Sequence, residues 1–180
     1  KQKDALHRYK FLQKFLKDSK QFGAQRIASE AKAVNISLEN LSRNMGYSDV
    51  TRLIWNMETA LINEMKEYFV PKKLDDVDVY IKIDELGQSE IIYEKAGKEL
   101  KSLPTKLKKD KYIEDIKEVH KNLKEQYRRS RKMLEEAMED GTEFYGYEIE
   151  NLMTNPVIAP ILKSLVFKME NDLGYYMDKK

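Results

Sequence analysis

Between Ala24 and Met45 the apolar residues Ile27, Ala31, Val34, Leu38, Leu41 and Met45 alternate in steps of four and three. Only a helix puts such positions on one face, so this segment must fold as an amphipathic helix that buries one side. Gly46 follows at once, a residue for which the left-handed backbone just past a helix end is cheap. Ser48 or Asp49 then offers a side-chain oxygen to cap a new helix, predicted to bury Leu53, Met57, Leu61 and Met65 and to fade at Tyr68 and Phe69 before Pro71. Upstream, a helix from about Asp4 to Gln21 is predicted from Leu6, Tyr9, Leu12 and Leu16, with Phe11 and Phe15 widening its apolar stripe and Gly23 ending it.

The period then changes. Val77, Val79, Ile81 and Ile83 alternate with polar neighbours, as on a half-buried strand. Asp84 to Gln88, with Gly87, reads as a turn, and Ile91 to Tyr93 as the returning strand. A two-stranded hairpin is marginal alone, so it must pack on helices or gain strands. Gly97 to Asp110 is a basic connector in which Ser102 and Pro104 suit the start of a short helix. The longest helix is predicted from about Tyr112 to Glu139, with Ile113, Ile116, His120, Leu123, Tyr127, Leu134 and Met138 on one face and Asp140-Gly141 as its stop. A short helix around Glu148 to Met153 follows, and Asn155-Pro156 opens another that buries Ile158, Ile161, Leu162 and Leu165. Leu165 to Met169 and Tyr175 to Met177 read as strands of a terminal hairpin turning over Asn171 to Gly174. The expected fold is mainly α: a helical, repeat-like scaffold with a small antiparallel β-hairpin and a C-terminal hairpin. The expected segments are 1–70 (three helices), 71–97 (hairpin), 98–168 (connector, long helix and short helices) and 169–180 (the start of a following domain).

Charge narrows the function classes. The net charge of +2 hides three blocks: residues 1–97 carry 16 Lys/Arg against 15 Asp/Glu, residues 98–132 carry 13 against 6, and residues 133–180 carry 4 against 10. A basic block followed by an acidic one is a sharper signal than the total. The chain has no cysteine, which removes disulfides, thiolate metal sites and cysteine nucleophiles. No apolar run approaches the roughly 18 residues of a membrane helix, and the first residues are too charged for a signal peptide. The chain lacks a starting Met and reads as a segment of a longer protein.

No P-loop, dinucleotide fingerprint, HExxH or GxSxG pattern occurs, so no catalytic residue is assigned. His120 has no second His or carboxylate at ligand spacing, and His7 stands alone, so no metal site is assigned. Glu135, Glu136, Glu139 and Asp140 suit a solvated helix end better than an acid/base pair. Asp75, Asp76 and Asp78 lack the alternation and central glycine of a calcium loop. The functional candidates are two. Lys106, Lys108, Lys109, Arg128, Arg129, Arg131 and Lys132 are grouped as phosphate ligands are, against a bland reading in which interleaved carboxylates pair with them. Arg43, Asn44, Gly46, Tyr47, Asp49, Arg52 and Trp55 form a junction that serves recognition or, as the favoured reading, caps and fills a helix turn: Asp49 as cap, Arg43 and Asn44 on the helix-end carbonyls, Trp55 in the gap.

Several pieces resemble the bacterial MolR-like proteins, a family of unknown function in which some members carry a WGR domain. They are Gly23 with Arg26-Ile27-Ala28 and Glu30-Ala31-Lys32; Leu41 with Arg43-Asn44 and Gly46-Tyr47; Asp49 with Arg52-Leu53 and Trp55; Gly97-Lys98 with Leu100 to Pro104; Leu107 to Asp110; Gln126 with Arg128-Arg129; Leu134-Glu135 with Ala137-Met138; and Leu165 to Phe167. Ser48 stands where the family often has proline. The resemblance implies a helical scaffold within a molybdate-metabolism-regulator-like protein, and a following domain. It carries over no catalytic residue and no molybdate site. The expected function is therefore a non-catalytic scaffold or interaction segment of a larger cytoplasmic protein, regulatory in role. Its expected partners are the remaining domains and another protein, with no cofactor and no membrane. The alternative is a nucleic-acid-binding module using residues 98–132.

Overall fold

In the computed structural model, which describes residues 1–176, the chain divides into two compact units, Lys1–Leu61 and Ile62–Lys180. The first unit holds α1 (Gln2–Ser19), α2 (Ala24–Met45) and most of α3 (Val50–Met65). A four-residue connection sends α2 back against α1 as a helical hairpin. Leu6, Tyr9, Val34, Leu38, Leu41, Leu53, Trp55, Met57 and Leu61 are buried. Inside this core Tyr9 donates its hydroxyl to the buried carboxylate of Glu58 at 2.6 Å. Phe11 and Phe15 do not join it: they are 62% and 37% exposed. Periodicity places them beside the apolar stripe, but no neighbouring element of the unit covers them.

Past Met65 the chain tightens into a 3-10 turn, Lys66–Phe69. Pro71 disfavours helical geometry at the residue before it, and Val70 is extended at φ −106°, ψ 135°. The expected hairpin is present as β2 (Val77–Ile83) and β3 (Ser89–Lys95), and it has gained strands on both sides. β1 (Lys72–Leu74) and β4 (Lys98–Glu99) complete an antiparallel sheet in the order β1-β2-β3-β4. Val79 faces Tyr93 and Ile81 faces Ile91, so the centre of one sheet face is apolar. The Asp84 side chain organises the β2–β3 turn by accepting from Leu86 and Gln88 N–H.

That apolar face packs on α4 (Lys111–Glu139), and together they form a core of Val77, Val79, Ile81, Leu103, Leu107, Ile113, Ile116, Leu123 and Val157. Asp110 caps α4 by accepting from Tyr112 N–H at 2.8 Å. His120 lies at the edge of the packed face and donates from Nε2 to the Ser89 carbonyl at 2.8 Å, tying α4 to β3. Met138, expected on the buried face, is 61% exposed, and Ala137 takes its place. The short helix expected near Ser102 is a 3-10 turn, Thr105–Leu107. α5 (Gly146–Met153) follows, and buried Asn155 accepts from Val157 and Ile158 N–H to turn the chain into α6 (Ala159–Ser164).

The chain closes on a hairpin of β5 (Val166–Met169) and β6 (Asp172–Tyr175). Its turn is Glu170-Asn171, tighter than the expected Asn171–Gly174, so Gly174 lies within β6 opposite Phe167. Met177, expected in the return strand, lies outside the described residues. The fold is mainly α with small antiparallel β elements.

Candidate functional site

Local bonds hold the junction between α2 and α3. Gly46 has φ +83°, its N–H bonds the Arg43 carbonyl, and Tyr47 N–H bonds that of Ser42. These are the two bonds of a Schellman ending. The Ser42 and Arg43 carbonyls are thus satisfied by backbone N–H groups, where the sequence suggested the Arg43 and Asn44 side chains. Arg43 pairs instead with Glu39 at 3.6 Å, and Asn44 turns to the α1 side. Ser42 donates its hydroxyl to the Asp49 carbonyl at 2.7 Å, a cross-turn lock that no sequence pattern announced. Asp49 accepts from Arg52 N–H at 2.8 Å, pairs with its guanidinium at 2.6 Å and accepts from Ser48 Oγ. Burial alone would raise the Asp49 pKa. The Arg52 N–H, the Ser48 hydroxyl and the Arg52 charge together outweigh it and hold the carboxyl below its ordinary value. The Arg52 guanidinium lies 6.0 Å from the ring centre of Trp55, which is 2% exposed.

The basic residues do not form one surface. Lys106, Lys108 and Lys109 precede α4, whereas Arg128, Arg129, Arg131 and Lys132 sit well along it. At 1.5 Å per helical residue, Arg128 lies roughly 26 Å along the axis from the start of α4 at Lys111. Several are engaged: Lys106 with Asp75 at 3.0 Å, Arg131 with Glu135 at 2.8 Å, and Lys132 with Glu136 at 3.5 Å. Among the described residues, Lys108, Lys109 and Arg128 hold no ion pair. Of the acidic residues, Asp76 pairs with Lys95, and Glu135 and Glu136 pair with Arg131 and Lys132 on their own helix. Among the described residues no group of three or more His, Cys, Asp or Glu side chains is placed to hold a metal ion.

A concave, largely apolar surface lies elsewhere, between α1 and α2. His7, Arg8, Phe11 and Leu12 line one side and Ser37, Asn40, Leu41 and Asn44 the other, around an open groove of about 420 Å³. Phe11 and Phe15 stack along α1 with ring centres 6.4 Å apart. The sequence signal for this site was available: aromatic residues outside the Leu6–Tyr9–Leu12–Leu16 stripe, interleaved with Lys10, Lys14 and Lys17. A second apolar surface is the terminal hairpin, where Val166, Met169, Leu173 and Tyr175 are exposed, Met169 to 76%. No helix among the described residues is long and apolar enough to cross a membrane.

Residues 1–57 match the model of a family of unknown function (DUF5724), and residues 97–179 that of a domain of unknown function (DUF4132). No curated protein and no solved structure matches the chain. The two family matches correct the resemblance to MolR-like proteins. No MolR or WGR model is matched, so molybdate regulation and the WGR association have no support. The fragments behind that resemblance perform general helical tasks, such as Gly46-Tyr47 ending α2 and Asp110 capping α4.

Proposed function

We propose that this chain is a non-catalytic helical scaffold segment of a larger cytoplasmic protein, with regulation by partner binding as its role. The observation that carries this reading is the stacked pair Phe11 and Phe15, exposed on α1 beside an apolar groove. Contiguous exposed apolar surface with a polar rim marks interaction sites more often than chance. The terminal hairpin, with large apolar side chains in water, supports the same reading. The nucleic-acid alternative draws less support, because its basic residues are divided along α4 and three of the seven are paired with carboxylates.

A photo-cross-linking amino acid at Phe11, at Met169 and, as a control, at the exposed Lys117 tests the reading in cells. Discrete adducts at Phe11 or Met169, absent at Lys117, are expected. Equal adducts at all three, or none at any, would overturn it.

A further inference from the structure

We infer that the groove between α1 and α2 takes an acidic amphipathic helix from a partner protein. Its apolar residues lie against Phe11 and Leu12, and its carboxylates against Arg8 and the neighbouring lysines of α1. This deepens the scaffold reading and rests on it.

Shape comes first. The groove runs between two helices of a hairpin, with Leu12 and Leu41 inside and Phe11 on one wall. A channel between two helices accepts a third, whose residues at i, i+3, i+4 and i+7 supply the anchors.

Charge then selects the occupant. Residues 1–22 carry seven Lys/Arg against two Asp/Glu, while residues 23–61 carry four of each. The whole surplus of the first unit therefore sits on α1 and its end. Arg8 and Lys14 are exposed and stand three residues before and after Phe11, which makes them its neighbours on the helix surface. The opposite wall is neutral, with Ser37 and Asn40. A helix with carboxylates beside its apolar stripe meets cations on one side and hydrogen-bonding groups on the other.

The other occupants fit less well. A second copy of this chain would set the same positive surplus against itself. A lipid surface takes a convex apolar face, whereas this one is recessed, and Asn40 would lose water without gaining a partner.

The probe is a synthetic helical peptide as long as α1, with Leu and Phe at the anchor positions and Glu on the flanks. Its binding to the full chain is read by fluorescence anisotropy. Binding is expected to weaken with added salt. Phe11→Ala and Arg8→Glu are each expected to weaken it about tenfold or more, a loss of about 1.4 kcal/mol. Both side chains are exposed, so the thermal midpoints should not move. Arg8→Glu should in turn favour a peptide in which Lys replaces Glu. Equal binding of the Glu and Lys peptides would overturn the inference. So would binding to anionic phosphatidylserine vesicles in place of the peptide, or self-association that Phe11→Ala abolishes. If Phe11 cross-links a protein in cells while the acidic peptide fails, the partner class is wrong and the scaffold reading stands. If the peptide fails and neither Phe11 nor Met169 cross-links a protein, both fall.

Discussion

Gly46 and Gly87 share a backbone conformation, with φ of +83° and +81°, but not an environment. A Cβ on Gly46 would meet nothing within 4 Å, whereas one on Gly87 would lie 2.6 Å from the Val157 carbonyl oxygen. Gly46→Ala should therefore cost only the left-handed penalty, about 1–2 kcal/mol. Gly87→Ala should cost that and a further 1–3 kcal/mol or so for forcing two backbone segments apart. Urea unfolding of both variants checks the difference, and equal losses would show that the Val157 contact yields freely. Gly46 was legible because a helix pattern ends on it. The role of Gly87 was not, because Val157 lies far along the chain. Asp49 offers a second test. Its pKa is lowered in the folded state, so its charged form adds stability above the unfolded value, near 3.9, that is lost as pH falls through the folded one. Asp49→Asn keeps a capping oxygen but loses the charge on Arg52. It should be less stable than the parent at pH 7, with the gap closing as pH drops below about 4. A gap that stays constant to low pH would remove Asp49 from the account.

Elements with a long, periodic pattern could be read directly. α2 runs from Ala24 to Met45 as expected, since its stripe, its preceding glycine and its terminal glycine all agree. β1 and β4 were missed because they are three and two residues long and mostly charged. They enter the sheet through their turns: Ala96 and Gly97 both adopt positive φ, which folds Lys98 back onto Lys95. Phe11 and Phe15 were misplaced for a different reason. A period says which residues share a face, but not whether anything covers it. The same distinction separates the two β systems. β2 and β3 bury Val77, Val79 and Ile81 against α4, whereas β5 and β6 are exposed at nearly every position. Amide exchange followed by mass spectrometry should show strong protection over Val77–Ile83 and Ser89–Lys95, and rapid exchange over Val166–Met169 and Asp172–Tyr175. Comparable protection in both would mean that the terminal hairpin is held by contacts stronger than its burial supports.

Across the whole chain, the alternation of basic and acidic blocks was visible in sequence, but its consequence depends on pairing that only three dimensions supply. The thirteen Lys/Arg of residues 98–132 look like one electrostatic footprint when written in a line. Folding puts Lys106 on the Asp75-Asp76 turn and sets Arg131 and Lys132 one turn from Glu135 and Glu136. It also places one half of the candidate set before the start of a 29-residue helix and the other roughly two-thirds of the way along it. Within the seven, a phosphate backbone would meet two separated groups of cations. Each neutralised phosphate contributes about −0.9 to the slope of log K against log salt on B-DNA. With Lys106, Arg131 and Lys132 held by carboxylates, at most four of the seven remain for phosphate, and their contribution to that slope should be no steeper than about −4. Charge reversal at Arg128 and Arg131 should change the weak binding by less than about tenfold, because each contact is worth so little. Anisotropy titrations of mixed-sequence duplex between roughly 50 and 200 mM salt would measure both quantities. A slope near −6, abolished by the same charge reversal, would mean that the paired residues abandon their carboxylates for phosphate. The basic face of α4 would then be the functional surface, and the α1–α2 groove would lose its priority.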